Sequence, residues 1–171
     1  LHRYAADAFV LVTLLHVLRE FLLGRFIGFR RFSWLTGVPL LWFIFAAGIV
    51  GFWLKWDQVA QFSALATAEW FDSLPFFATP LTRNFLSNAA INDRLFSLFV
   101  FIHIGVPLLL IFGLWFHIQR ISLAKVFPPR PLAIGTLTTL LLLSLALPVT
   151  SRDSADLAFI PSSIPLDWFY L

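Results

Sequence analysis

Four stretches of the chain are apolar for about the length of a bilayer. One of them, WLTGVPLLWFIFAAGIVGFW at 34–53, carries no charged residue. The others run from about Tyr4 to Leu23, from about Leu95 to Ile118 and from about Leu132 to Leu147. A hydrocarbon core of about 30 Å is crossed by about 20 helical residues, and a segment in lipid must satisfy its backbone polar groups internally. The expected fold class is therefore all-α: an integral membrane helical bundle with about four transmembrane helices, the fourth being the shortest. Composition agrees. Of 171 residues 60% are hydrophobic and 12% charged, where a soluble domain carries about 25% charge. No tandem repeat at solenoid period is visible.

The same composition excludes several classes of function. Without cysteine, the chain can form no disulfide, zinc finger or cysteine-bound cluster of its own. The net charge of +3 is modest, so the basic residues read as membrane-topology signals and not as a nucleic-acid patch. The chain begins at Leu1, has no methionine and shows no signal-peptide cleavage site. It reads as part of a longer polypeptide.

Linker charge suggests an orientation. Arg25, Arg30 and Arg31 follow the first span, and Arg120, Lys125 and Arg130 follow the third. The linker at 57–94 and the tail are acidic or mixed. Basic loops stay on the cytoplasmic side. The first and third spans then run inward, parallel to each other, and the second and fourth run outward.

Against this oily background stand four histidines, two on the first span and two on the third. His2 and His16 are fourteen residues apart, as are His103 and His117. Fourteen residues fall about 40° short of four helical turns, so each pair shares a face, with about 21 Å between its members along the axis. On parallel spans, His2 meets His103 at one depth and His16 meets His117 at another. Two imidazoles per site, without cysteine or a nearby carboxylate pair, disfavour zinc or non-haem iron. They suit the two axial positions of haem. The second span carries Gly37 and Gly51, again fourteen apart, where a flat cofactor can approach the backbone closely. Arg19 and Arg120 each lie three residues beyond a histidine, on the same helix face, and are candidates to pair with haem propionates.

Blander readings apply to each feature alone. A single histidine in a membrane helix can simply bond a neighbour, glycine is common in such helices, and positive flanks are expected. A haem-free scaffold or transporter would show inverted repeats or broken helices, and neither is visible. Asp7 reads either as a proton-transfer group or as a helix–helix hydrogen bond. The segment at 58–77 reads as an interfacial helix on the outer surface.

Taken together these residues resemble the cytochrome b of quinol–cytochrome c oxidoreductases over nearly the whole chain. His2 and His16 match that family's second transmembrane helix, His103 and His117 its fourth. WLTGVPLL with GFWLKWDQ looks like its third, and the final PLDWFYL is similar to the Pro-Glu-Trp-Tyr motif beside the outer quinol site. The resemblance implies two haem b groups, His2 with His103 holding the outer and His16 with His117 the inner. It implies a dihaem core over 1–122 with an outer-side amphipathic segment at 57–78, then a further span and quinol-motif loop over 123–171. The implied function is transmembrane electron transfer in a quinol-oxidising or quinone-reducing respiratory or photosynthetic complex. Asp167 would be the quinol proton acceptor, making the chain a subunit of a quinol:acceptor oxidoreductase. The implied partners are membrane lipid, quinone and iron–sulfur or c-type cytochrome subunits, in a dimeric complex of the bacterial inner membrane, with no nucleic acid. The alternative is a dihaem anchor passing electrons between quinone and a soluble dehydrogenase or reductase subunit.

The sequence also departs from the family pattern. Lys55 and Asp57 stand where proline and glycine are usual, and Leu166 is inserted after Pro165, ahead of Asp167. Leu98 replaces an arginine, with Arg94 about one turn away, and Ser122 replaces a frequent inner-site histidine. These departures fall on the quinone motifs and not on the histidine frame.

Overall fold

The computed structural model describes residues 1–75, 86, 90–159, 163, 164 and 168. Among these the chain forms five α-helices and no strand: α1 (His2–Leu22), α2 (Arg31–Trp53), α3 (Gln58–Asp72), α4 (Asp93–His117) and α5 (Arg130–Ala146). The four expected spans correspond to α1, α2, α4 and α5, with every end within three residues of its expected place. α2 and α4 are long and apolar enough to cross a membrane, and α5, with 17 residues, is shorter.

Local chemistry explains where the helices stop and start. Beyond α1 the chain passes through Gly24 at φ 65° and Gly28 at φ 63°, left-handed conformations that glycine adopts without a steric penalty. A 3-10 turn at Gly28–Arg30 then leads into α2. Ahead of α4 the Asn92 side chain accepts hydrogen bonds from the backbone N–H groups of Arg94 and Leu95, which satisfies two donors that a helix start leaves open. Pro131 sits in the first turn of α5, where its missing N–H costs nothing.

The chain divides into two compact units. The first takes residues 1–45 and 106–150. In it α1 packs against α5, and the Tyr4 hydroxyl donates to the Leu147 carbonyl at 2.7 Å. Phe21, Phe26 and Trp34 form an aromatic group where the chain turns from α1 to α2. The absence of a side chain at Gly113 admits Leu40. Leu11 and Leu15 on α1, Trp42 on α2, Phe112 on α4 and Leu142 on α5 are all more than half exposed. In water such a surface would drive aggregation; in lipid it is the ordinary outer face of a bundle.

The second unit takes residues 46–105 and the described part of 151–171. Its core joins Val50 on α2 to Leu95 and Phe99 on α4, with the Trp53 ring tilted against Phe99. One face of α3 is buried through Val59, Ala60, Gln61, Ser63, Ala64 and Ala68. Gln61 fastens the tail: its side chain donates to the Asp156 carbonyl at 2.9 Å and accepts from the Asp156 N–H at 2.7 Å. The expected segment at 57–78 is helical over Gln58–Asp72, and its last residues lie outside the described part.

Asp57 is the polar hub of this unit. It is 2% exposed. Its carboxylate accepts from the Ala60 N–H at 2.9 Å, capping α3, and from the Arg152 N–H at 3.0 Å, and it pairs with Lys55 at 3.1 Å. Burial alone would push this carboxyl up. The two N–H donors and the Lys55 ammonium outweigh burial and hold it below the usual carboxylate range. Lys55 and Asp57, two of the family departures, thus form one structural device.

A carboxyl depressed in the folded state stabilises fully above its unfolded value of about 3.9, and the contribution fades as pH falls through the lower folded value. Asp57→Ala should lower stability by about 1–3 kcal/mol at pH 7, through loss of the cap on α3 and of the bonds to the Arg152 N–H and Lys55. Thermal unfolding in detergent from pH 7 to pH 2 checks both statements. The wild-type midpoint should drop at the acid end of the range, and the variant should lose that part of the dependence.

Candidate functional site

A buried imidazole has two nitrogens to satisfy, and α2 satisfies one of them for each histidine of α4. In the first unit, His117 Nδ1 lies 3.1 Å from the Thr36 hydroxyl oxygen. That hydroxyl spends its single hydrogen on the carbonyls of Phe32 and Ser33, at 2.9 and 3.2 Å. With that hydrogen on a carbonyl, Thr36 accepts from His117 Nδ1–H and the lone pair falls on Nε2. Ser33 adds a bond from its hydroxyl to the His117 carbonyl at 3.3 Å. The next residue of α2 is Gly37, where an added Cβ would lie 3.1 Å from His117 Cε1.

In the second unit the arrangement recurs with a different acceptor. His103 Nδ1 donates to the Ala47 carbonyl at 2.9 Å, and an added Cβ at Gly51 would lie 2.3 Å from His103 Cε1. A hydrogen bond at the far nitrogen fixes tautomer and ring orientation and raises the basicity of a metal-ligating imidazole. Both histidines of α4 thus have Nδ1 engaged by α2.

His16 on α1 and His117 line one cavity of about 540 Å³ in the first unit, together with Gly37. That size lies within the range of cofactor pockets. Its apolar wall includes Phe9, Val12, Leu41, Ile44 and Leu114. The charged lining is Arg19, Glu20, Arg25 and Arg30. Two imidazoles, a side-chain-free wall at Gly37, an apolar slot and three guanidiniums fit the requirements of haem: two axial nitrogens, close approach to a flat face, a dry interior and cations for carboxylates.

The other sequence candidates are placed as follows. His2 is the first residue of α1, in the first unit. Arg19 lines the cavity. The Arg120 guanidinium lies 4.8 Å from the centre of the Phe32 ring, and the cavity's remaining cations are Arg25 and Arg30. Asp7 accepts from Arg3 at 3.0 Å, one turn away on α1. Asp167 lies outside the described residues. Sequence reasoning missed Arg25, Arg30 and Glu20 as site residues. The signal is present in GRFIGFRR, whose two glycines permit the turn that carries Arg25 and Arg30 back to the cavity, although its charge alone reads as a topology marker.

The two glycines should respond differently to a methyl group. Gly51→Ala forces His103 to move, because no real Cβ contact is as short as 2.3 Å, and should destabilise by about 1–3 kcal/mol. Gly37→Ala asks His117 to yield a few tenths of an ångström and should have the smaller effect. Thermal unfolding of both variants checks the order; equal effects would contradict it.

Residues 7–147 match the family model described as cytochrome b(N-terminal)/b6/petB. The matched range includes His16, His103, His117, Gly37 and Gly51. No solved structure matches the chain.

Proposed function

Because this chain belongs to the cytochrome b family, a family of haem b-binding membrane proteins that transfer electrons within multi-subunit complexes, we propose that it holds two bis-histidine haems and moves electrons between them. The observation that carries this reading is the repeated treatment of the α4 histidines. His103 and His117 each have Nδ1 engaged by α2 and a glycine of α2 against the ring. The same pairing of an Nδ1 partner with a glycine, repeated at fourteen-residue spacing, supports a shared role for the two rings.

His16 and His117 hold one haem in the cavity of the first unit. His2 and His103 hold the other, a pairing supported by their matched fourteen-residue spacing. Bound haem supplies a one-electron carrier whose potential depends on axial ligands, hydrogen bonding and nearby charge. The chain contributes the rest. Thr36 and the Ala47 carbonyl orient the imidazoles, and the apolar wall keeps the cavity dry. The dihaem core spans 1–122, and 123–171 adds a span and the quinol-motif loop.

The electrons come from or go to quinone, and Asp167 accepts a quinol proton. The partners are iron–sulfur or c-type cytochrome subunits in a dimeric complex of the bacterial inner membrane, with the basic loops cytoplasmic. The alternative, a dihaem anchor serving a soluble dehydrogenase, uses the same ligands.

Haem content per chain tests the pairing. By pyridine haemochrome assay, His16→Ala and His117→Ala should each lose one and the same haem of two, and His2→Ala and His103→Ala the other. Retention of both haems in any of these variants contradicts the ligand assignment. Asp167→Asn should slow quinol turnover at unchanged haem content, and normal turnover would remove Asp167 from the mechanism.

A further inference from the structure

Among the described residues, Glu20 is the one acidic residue lining the cavity that holds His16 and His117. A carboxylate there is unexpected on two counts. Haem propionates are themselves anionic, so another anion competes for the same cations. Glu20 also sits in the last turns of α1, where the helix dipole disfavours negative charge.

The structure shows what offsets this. The Glu20 side chain, 15% exposed, pairs with three guanidiniums. Arg19 is its chain neighbour. Arg25 reaches both carboxylate oxygens, at 3.1 and 3.2 Å, and Arg30 lies 3.6 Å from one of them. Arg25 and Arg30 belong to the segment between α1 and α2, whose course is set by Gly24 and Gly28. Without an anion at position 20, three like charges so close together would repel one another and turn toward water. With it they converge on the cavity. The cluster of three arginines and one glutamate carries a net charge of +2, the complement of a group that bears two carboxylates.

We propose that Glu20 is a positioning and potential-setting residue for the haem held by His16 and His117: it gathers Arg25 and Arg30 at the cavity, and its charge, left in place beside the haem, holds that haem's reduction potential down. The inference rests on the haem assignment made above for this cavity. The direction follows from charge alone. Reduction adds an electron to the haem, and a fixed anion nearby opposes it, while fixed cations favour it. The Glu20 side chain is 15% exposed, against 32% for Arg25, 45% for Arg30 and 61% for Arg19, so salt screens the arginines in part and the Glu20 charge less.

The test is a redox titration of the full chain with its haems, in Glu20→Gln, Glu20→Asp, Arg25→Gln and Arg30→Gln. Glu20→Gln removes the charge but keeps an amide oxygen that can still accept from Arg25, so it should shift the reduction equilibrium of one haem by about tenfold toward the reduced form, the scale of one partly buried charge. For a one-electron couple that is about 59 mV upward. Glu20→Asp, which keeps the charge, should return most of the shift. Arg25→Gln and Arg30→Gln should move the same haem in the opposite direction. If Glu20→Gln does not assemble, the arginine variants decide the matter: potentials unmoved in both overturn the proposal. An unmoved potential in a folded, haem-loaded Glu20→Gln protein also overturns it. Failure of the haem assignment itself reads differently. In that case His16→Ala and His117→Ala keep their full haem content, whatever the Glu20 variants do.

Discussion

A neutral imidazole in an apolar helix must find a donor and an acceptor, one for each nitrogen, and α2 is built around that demand. For His117 the acceptor is a threonine hydroxyl whose own hydrogen is committed to its helix; for His103 it is a backbone carbonyl. Glycine stands beside each acceptor arrangement, at position 37 in one unit and 51 in the other, and lets the ring lie against the helix. Hydrogen bonding therefore holds the Nδ1 side of each ring, and sterics dictates how near the ring can come to α2. The glycines alone would read as ordinary membrane-helix residues. Joined to Nδ1 partners they become half of a ligand-orienting device.

The first unit joins this device to a charge problem. Apolar surface lines most of the cavity, and the ionic groups are confined to one cluster in which Glu20 meets Arg19, Arg25 and Arg30. Glu20 is the least exposed member of that cluster, and its charge lets three guanidiniums lie close together without mutual repulsion winning. An anionic cofactor entering such a site meets cations already in place, so less ordering remains to be done on binding. The second unit handles charge differently. Asp57 is nearly inaccessible, yet it is saturated by two N–H groups and Lys55, and so serves the joint between α2, α3 and the tail as a structural anion.

Much of this was legible in the sequence because the bilayer reduces the choices. Apolar runs of near-span length can only be helices, so the ends of α1, α2, α4 and α5 fell close to where hydropathy put them. Spacing carried the next step, since fourteen residues return to the same helix face, and the family resemblance is shown by the match over 7–147. What stayed hidden depends on loops and on single rotamers. Nothing periodic announces that Arg25 and Arg30 turn back to the cavity, because the turn is made by Gly24 and Gly28 outside any helix. Arg120 has the same offset from its histidine as Arg19, but it lies against Phe32, a contact set by ring placement and not by spacing. Thr36 and Ala47 were invisible for a related reason: their role lies in which atom accepts, and residue type does not reveal that.

The central claim is that one chain holds two haems on two histidine pairs. A redox titration of the purified complex, following the reduced-minus-oxidised b-type band with protoporphyrin quantified per chain, tests it most directly. Two haems per chain, titrating as two one-electron components at separate potentials, is the result predicted. One haem per chain, or none in a folded protein, would contradict it.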